Sequence, residues 1–96
     1  MTVLVTLECE VKSEHVAEVP ALLRDVLPST RAFEGCIKVT CYLSQDKRKL
    51  LLVEDWTSKE AQEKYLAWRV TTDHGKQLLA MFAAPPDIRV YDPLNL

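Results

Sequence analysis

The strongest constraint on the fold is a contrast between two kinds of strand-like segment. Segment 49–56 carries the unbroken run Leu50-Leu51-Leu52-Val53, and segment 2–11 opens with Val3-Leu4-Val5 before it begins to alternate. Segments 36–44 and 87–92 alternate throughout, with Ile37, Val39, Cys41 and Leu43 against Lys38, Thr40 and Tyr42, and Ile88 and Val90 against Arg89 and Tyr91. Successive side chains of a strand point to opposite faces, so a run apolar throughout requires cover on both sides, whereas an alternating one tolerates a wet face. The first two segments therefore read as the centre of a sheet and the last two as its edges.

Helical spacing fills the intervals. Val16, Val19, Leu22, Leu23, Val26 and Leu27 repeat at the period of an amphipathic helix, with Ser13 as the expected N-cap. Pro20 predicts a bend or a late start to this helix, and Pro28 predicts a second break before a last turn over 29–33, stopped by a left-handed Gly35. Thr57 and Glu60 have the spacing of a capping box ahead of a second helix, on which Ala61, Tyr65 and Trp68 form a stripe. Thr72 or Asp73 caps a third, shorter helix carrying Leu78, Leu79 and Phe82, and Pro85-Pro86 ends it.

Strand, helix, strand, strand, helix pair, strand is the split βαβ order of an α+β, ferredoxin-like antiparallel sheet. The 96 residues suit one domain, 1–96. Helices in such a fold cover one face of the sheet, so the other face, expected to present Leu, Val and Cys, predicts a homodimer through the sheet face. The charges are mixed in sign and sum to −2, with no basic stripe, which argues against nucleic acid as a partner. Without a basic leader, or an apolar run near the roughly 20 residues that span a bilayer, no membrane role is expected and a cytoplasmic location is. Cys9, Cys36 and Cys41 form no C-x-x-C pair and lie far from both histidines, so no metal site is read, and the cysteines are taken as small buried hydrophobes.

An aromatic group of Tyr42, Tyr65, Trp68 and Phe82 is expected between sheet and helices, either as plain core or as the wall of an apolar cleft for a small molecule. His74 is the histidine nearest this group, suited to general-base work or equally to an exposed helix start. His15 reads as surface and Trp56 as structural. Trp68 stacks on a flat ligand or packs in the core. Thr6 and Tyr42 are expected to aim at the helix-covered face and to donate hydrogen bonds there. Arg69 reads first as a surface arginine and second as a group that neutralises an anion.

The stretches VTLECEVKSEHV (5–16), LLRDVLPSTRAFEGC (22–36), LLVEDWTSKEA (51–61), YLAWR (65–69) and PPDIRVYDP (85–93) follow one another as in antibiotic biosynthesis monooxygenase domains, and the sequence resembles that family over nearly its whole length. The resemblance implies a dimeric α+β barrel with a pocket in each subunit between sheet and helices. It also implies oxygenation of an acidic, electron-rich aromatic substrate, such as an anthrone or quinol, with no cofactor and no metal. A haem-degrading branch matches less: its first-strand asparagine falls at Thr6, its helix tryptophan at Trp68, and its iron-binding histidine lies further on than His74. Haem chemistry is not expected. Two other functions share the scaffold, a non-catalytic small-molecule-binding or regulatory barrel and a lactone isomerase-like enzyme, the latter distinguished by activity without oxygen.

Overall fold

The computed structural model describes residues 2–96. Four strands, β1 (Val3–Glu10), β2 (Cys36–Leu43), β3 (Lys49–Trp56) and β4 (Asp87–Tyr91), form one antiparallel sheet in the order β2-β3-β1-β4. The segments apolar on both sides are thus central and the alternating ones are edges, as the pattern requires. Three α-helices, α1 (Val19–Ala32), α2 (Lys59–Arg69) and α3 (Asp73–Met81), complete a ferredoxin-like α+β fold.

The register fixes which residues look toward the helices. Val3, Val5, Leu7 and Cys9 of β1 stand opposite Trp56, Glu54, Leu52 and Leu50 of β3, and Val39, Cys41 and Leu43 of β2 continue those rows. These rows meet Val19, Leu22, Leu23 and Val26 of α1, Tyr65 of α2 and Met81 of α3 in the core. The opposite parity, Leu4, Thr6, Glu8, Leu51, Val53, Thr40, Tyr42, Arg89 and Tyr91, forms the face away from the helices. That face is mixed rather than uniformly apolar, and it carries no cysteine: Cys9 and Cys41 point inward, contrary to the expectation that thiols would be presented outward.

Both prolines of the first helical region act locally. Residues Ser13–Glu18 form a 3-10 helix, and α1 starts at Val19 with Pro20 in its first turn, where a missing N–H leaves no bond unmade. This is the late start that Pro20 predicts. Pro28 does not break α1, which runs on to Ala32. The carbonyl that Pro28 deprives of a donor belongs to Arg24, and both residues lie on the exposed side of the helix, open to solvent.

Two expected caps shift. Lys12, not Ser13, precedes the 3-10 helix and makes no side-chain cap. Ser58, not Thr57, caps α2, its hydroxyl accepting from the Ala61 amide at 3.1 Å, while the Thr57 amide donates to the Gly35 carbonyl. Thr72 caps α3 by accepting from the Gly75 amide at 3.0 Å. Gly35 has φ +94°, the left-handed stop, and a Cβ there would lie 2.6 Å from that of Ala61.

Candidate functional site

On β3 the residues of one parity, Leu50, Leu52, Glu54 and Trp56, all face the helices, so the strand carries a carboxylate into the core along with its leucines. Trp56 is wholly buried, and its indole N–H must find an acceptor there. Two residues earlier on the same face, Glu54 supplies it: Nε1 donates to Oε1 at 2.9 Å. Glu54 itself is 2 % exposed. Burial disfavours its charged form and pushes its carboxyl above the usual 4.5, and the indole hydrogen bond opposes that only in part.

The facing wall comes from α2. Gln62, Tyr65 and Arg69 recur at helical spacing and turn one stripe inward. Arg69, 5 % exposed, reaches across to the end of α1, where Nη2 donates to the Val26 carbonyl at 3.1 Å, Ser29 Oγ at 2.7 Å and Thr30 Oγ1 at 3.1 Å. Its Nε donates to the Tyr65 hydroxyl at 2.9 Å, which is also shared with Thr30 Oγ1 at 2.6 Å. The guanidinium lies 4.6 Å from the Trp68 ring centroid and 5.3 Å from that of Tyr65. All these partners are neutral. Among the described residues, ion pairs join His15 to Glu18, Lys49 to Glu8 and Arg89 to Asp87, and none involves Arg69.

Helix α3 closes against this cluster. The Arg69 carbonyl accepts from Thr72 Oγ1 at 2.7 Å, and Gly75 packs so closely on that carbonyl that a Cβ would collide with it. Between the sheet and the three helices lies a cavity of about 80 Å3. Its wall is almost wholly apolar, with Leu7, Leu23, Leu50 and Leu78 among its residues, and Glu54, Thr30, Tyr65 and Arg69 border it. Val70 and Leu79, each nearly half exposed, line it at the rim.

Of the residues singled out from the sequence, Tyr65, Arg69 and Phe82 line this cavity, and Trp68, His74, Thr6 and Tyr42 do not. Thr6 and Tyr42 share a parity, but it is the one facing away from the helices: Thr6 pairs with Val53 and Tyr42 with Leu51. Trp68 is 39 % exposed and stacks on Phe33, with centroids 5.5 Å apart at 28°. The aromatic cluster is accordingly Phe33, Trp56, Tyr65 and Trp68 in place of the expected set. His74 stands in the first turn of α3, where Gly75, Leu78 and Leu79 are the residues turned to the cavity. Arg69, read first as a surface residue, is buried.

Neither Glu54 nor Thr30 stands out in the sequence as a site residue. The parity that Glu54 shares with Leu50, Leu52 and Trp56 was the available signal, masked by the continuous run of four apolar residues. Thr30 follows Val26 by one helical turn on the buried face of α1, a spacing that marks it as inward-facing.

A ferredoxin-like sheet with helices on one side, and between them a mostly apolar cavity bordered by a buried glutamate and a buried arginine, defines an α+β protein of the kind that ends in one helix-covered and one open sheet face. The chain belongs to the antibiotic biosynthesis monooxygenase family, whose model matches residues 2–80. Among solved structures it is similar to a mutant of SnoaB from Streptomyces nogalater, described as a cofactor-independent oxygenase, at 16 % identity and a TM-score of 0.80 over 99 % of this chain and 95 % of that one. It is also similar to Rv0793 from Mycobacterium tuberculosis, at 24 % identity and a TM-score of 0.76 over 100 % and 98 %. A conserved protein from Methanosarcina mazei Go1 is 22 % identical with a TM-score of 0.78 over 98 % and 94 %. At these identities the likeness is one of fold. No curated protein matches the chain. Among the described residues, no group of three or more His, Cys, Asp or Glu side chains is gathered as a metal site, and no helix is long and apolar enough to cross a membrane.

Proposed function

We propose that this chain is a monooxygenase that oxidises an acidic, electron-rich aromatic of the quinol or anthrone type with dioxygen, without a cofactor, in the cavity between sheet and helices. Family membership and the description of SnoaB support the reading. The observation that carries it is the buried Arg69, a cation with only neutral partners, set into an otherwise aliphatic wall. Such a wall desolvates a ring, and the guanidinium stabilises the anion formed when that ring loses a proton. The delocalised anion passes an electron to dioxygen. With an anthrone, one oxygen atom ends as a carbonyl on the methylene carbon and the other leaves as water with that carbon's two hydrogens; with a quinol, one oxygen atom ends as a hydroxyl on a ring C–H carbon of the quinone formed, and the other leaves as water with the two hydrogens of the quinol hydroxyls.

The cavity, about 80 Å3, is roughly half the size of one known to hold benzene. A ring therefore lies partly in the mouth or displaces rim side chains such as Leu79, and a single-ring quinol fits with less rearrangement than a three-ring anthrone. With this goes a homodimer through the open sheet face, supported by Leu4, Leu51, Val53, Tyr42 and Tyr91 gathered there, with Tyr42 and Tyr91 exposed.

Oxygen uptake with a panel of quinols and anthrones in metal-free buffer tests the activity. Consumption above autoxidation is the expected result, and none across the panel refutes the reading. Turnover that persists under anaerobic conditions points to an isomerase instead.

A further inference from the structure

We infer that Glu54 is the group that takes the proton from the ligand's acidic hydroxyl in this cavity. The inference rests on the cavity assigned to the proposed reaction and names the base that the reaction requires.

The argument is partly one of elimination among the residues that line the space. His74 does not line it. Cys9 does, but burial and the nearby carboxylates push its thiol up to about 12, so it stays protonated. The hydroxyls of Tyr65 and Thr30 are committed to each other and to Arg69, and a guanidinium donates protons without accepting them. Glu54 remains, an acceptor with one protein partner, the Trp56 indole. The groups around it are Cys9 on β1 and Cys36 and Cys41 on β2, whose thiols its charge helps to push up, with Tyr65 and Arg69 on the α2 wall of the same cavity. No cation is paired with it, so nothing but the indole offsets the penalty of burying its charge. A carboxylate held this way pulls a proton more strongly than one in water.

The step balances within the cavity. The O–H bond of the ligand breaks, its electron pair stays on the ligand oxygen, and the proton binds a Glu54 carboxylate oxygen. The negative charge thus moves from β3 to the ligand, where Arg69 faces it from α2. The Glu54–Arg69 pair of walls selects a neutral phenol that ionises after entry.

The test uses the full chain and para-nitrophenol, whose phenolate absorbs in the visible and which reports its own ionisation without being oxygenated. Binding to the wild type is expected to generate phenolate with no net proton release to buffer. Glu54→Gln, whose amide oxygen still accepts from Trp56, is expected to bind the probe in its neutral form, and to lower kcat for any oxygenated substrate at least about 100-fold. Should Glu54→Gln fail to fold by circular dichroism, Glu54→Asp serves, with partial phenolate formation expected from its shorter reach. Equal phenolate in wild type and variant overturns the inference, and so does a probe that does not bind. Glu54-dependent ionisation without oxygen uptake sinks the monooxygenase reading alone, and oxygen uptake with Glu54-independent ionisation sinks this inference alone.

Discussion

Replacing Tyr65 by phenylalanine removes one oxygen from the cluster that braces Arg69. In the native structure that oxygen accepts from Arg69 Nε at 2.9 Å and is hydrogen-bonded to Thr30 Oγ1 at 2.6 Å. Thr30 is not stranded in the variant, because it keeps the Val26 carbonyl at 3.3 Å and Arg69 Nη2 at 3.1 Å. The uncompensated loss is the bond to Nε, a buried donor on a charged group, worth about 1.5–3 kcal/mol. Relief from burying a hydroxyl offsets the smaller Thr30 contribution, so the net destabilisation is about 2 kcal/mol. For a chain of this length each kcal/mol shifts Tm by about 4–8 °C, so a fall of about 10 °C is expected. Urea unfolding and thermal melts at one fixed protein concentration measure it, the concentration being held because any self-association adds to apparent stability. A loss under about 0.5 kcal/mol would refute the idea that Tyr65 holds the guanidinium in place.

Four further outcomes are expected. Glu54→Gln changes stability with pH in a defined direction: the raised carboxyl pKa means that wild type is unpenalised below about 4.5 and loses stability as pH rises through the folded-state value, so the variant gains on it in that window; urea midpoints against pH check this, and a flat difference contradicts it. Gly35→Ala meets both a positive φ and the Ala61 methyl, and is expected to cost more than about 1 kcal/mol by urea denaturation. Val53→Lys places a charge amid Leu4, Leu51 and Tyr42 on the open face; wild type is expected to sediment as a dimer and the variant as a monomer, and a monomeric wild type removes the sheet-face pairing. Cys9, with its thiol pushed up to about 12, is expected to resist a thiol reagent in the native state and to react on unfolding, as judged by intact mass.

The interior of α1 illustrates how far local rules reach. Proline at position 20 located the helix start, because φ and the missing N–H act on the residue itself. Pro28 carries the same chemistry, yet its effect depended on whether the Arg24 carbonyl met water, and that is decided by which side of α1 the sheet covers. The capping signals behaved alike. Thr57 and Ser58 are both competent caps, and the cap is Ser58, while the Thr57 amide, just past the end of β3, donates to the Gly35 carbonyl ahead of β2.

What the sequence determined by itself was the sheet: two strands apolar on both sides, two alternating, and hence centre and edges in the order observed. Strand periodicity is a property of neighbouring residues, so it is legible without any long-range contact. It divides each strand into two faces but does not say which one the helices cover, and that choice sent Thr6 and Tyr42 outward and Glu54 inward. Tertiary structure alone decided the fate of Arg69, whose partners Val26, Ser29 and Thr30 lie 39 to 43 residues away in the chain. A guanidinium is buried only where enough acceptors converge to replace its water, and no local pattern announces such a convergence. The cavity's chemistry therefore arises from the meeting of two helix ends and one strand face, which exists only in the folded chain.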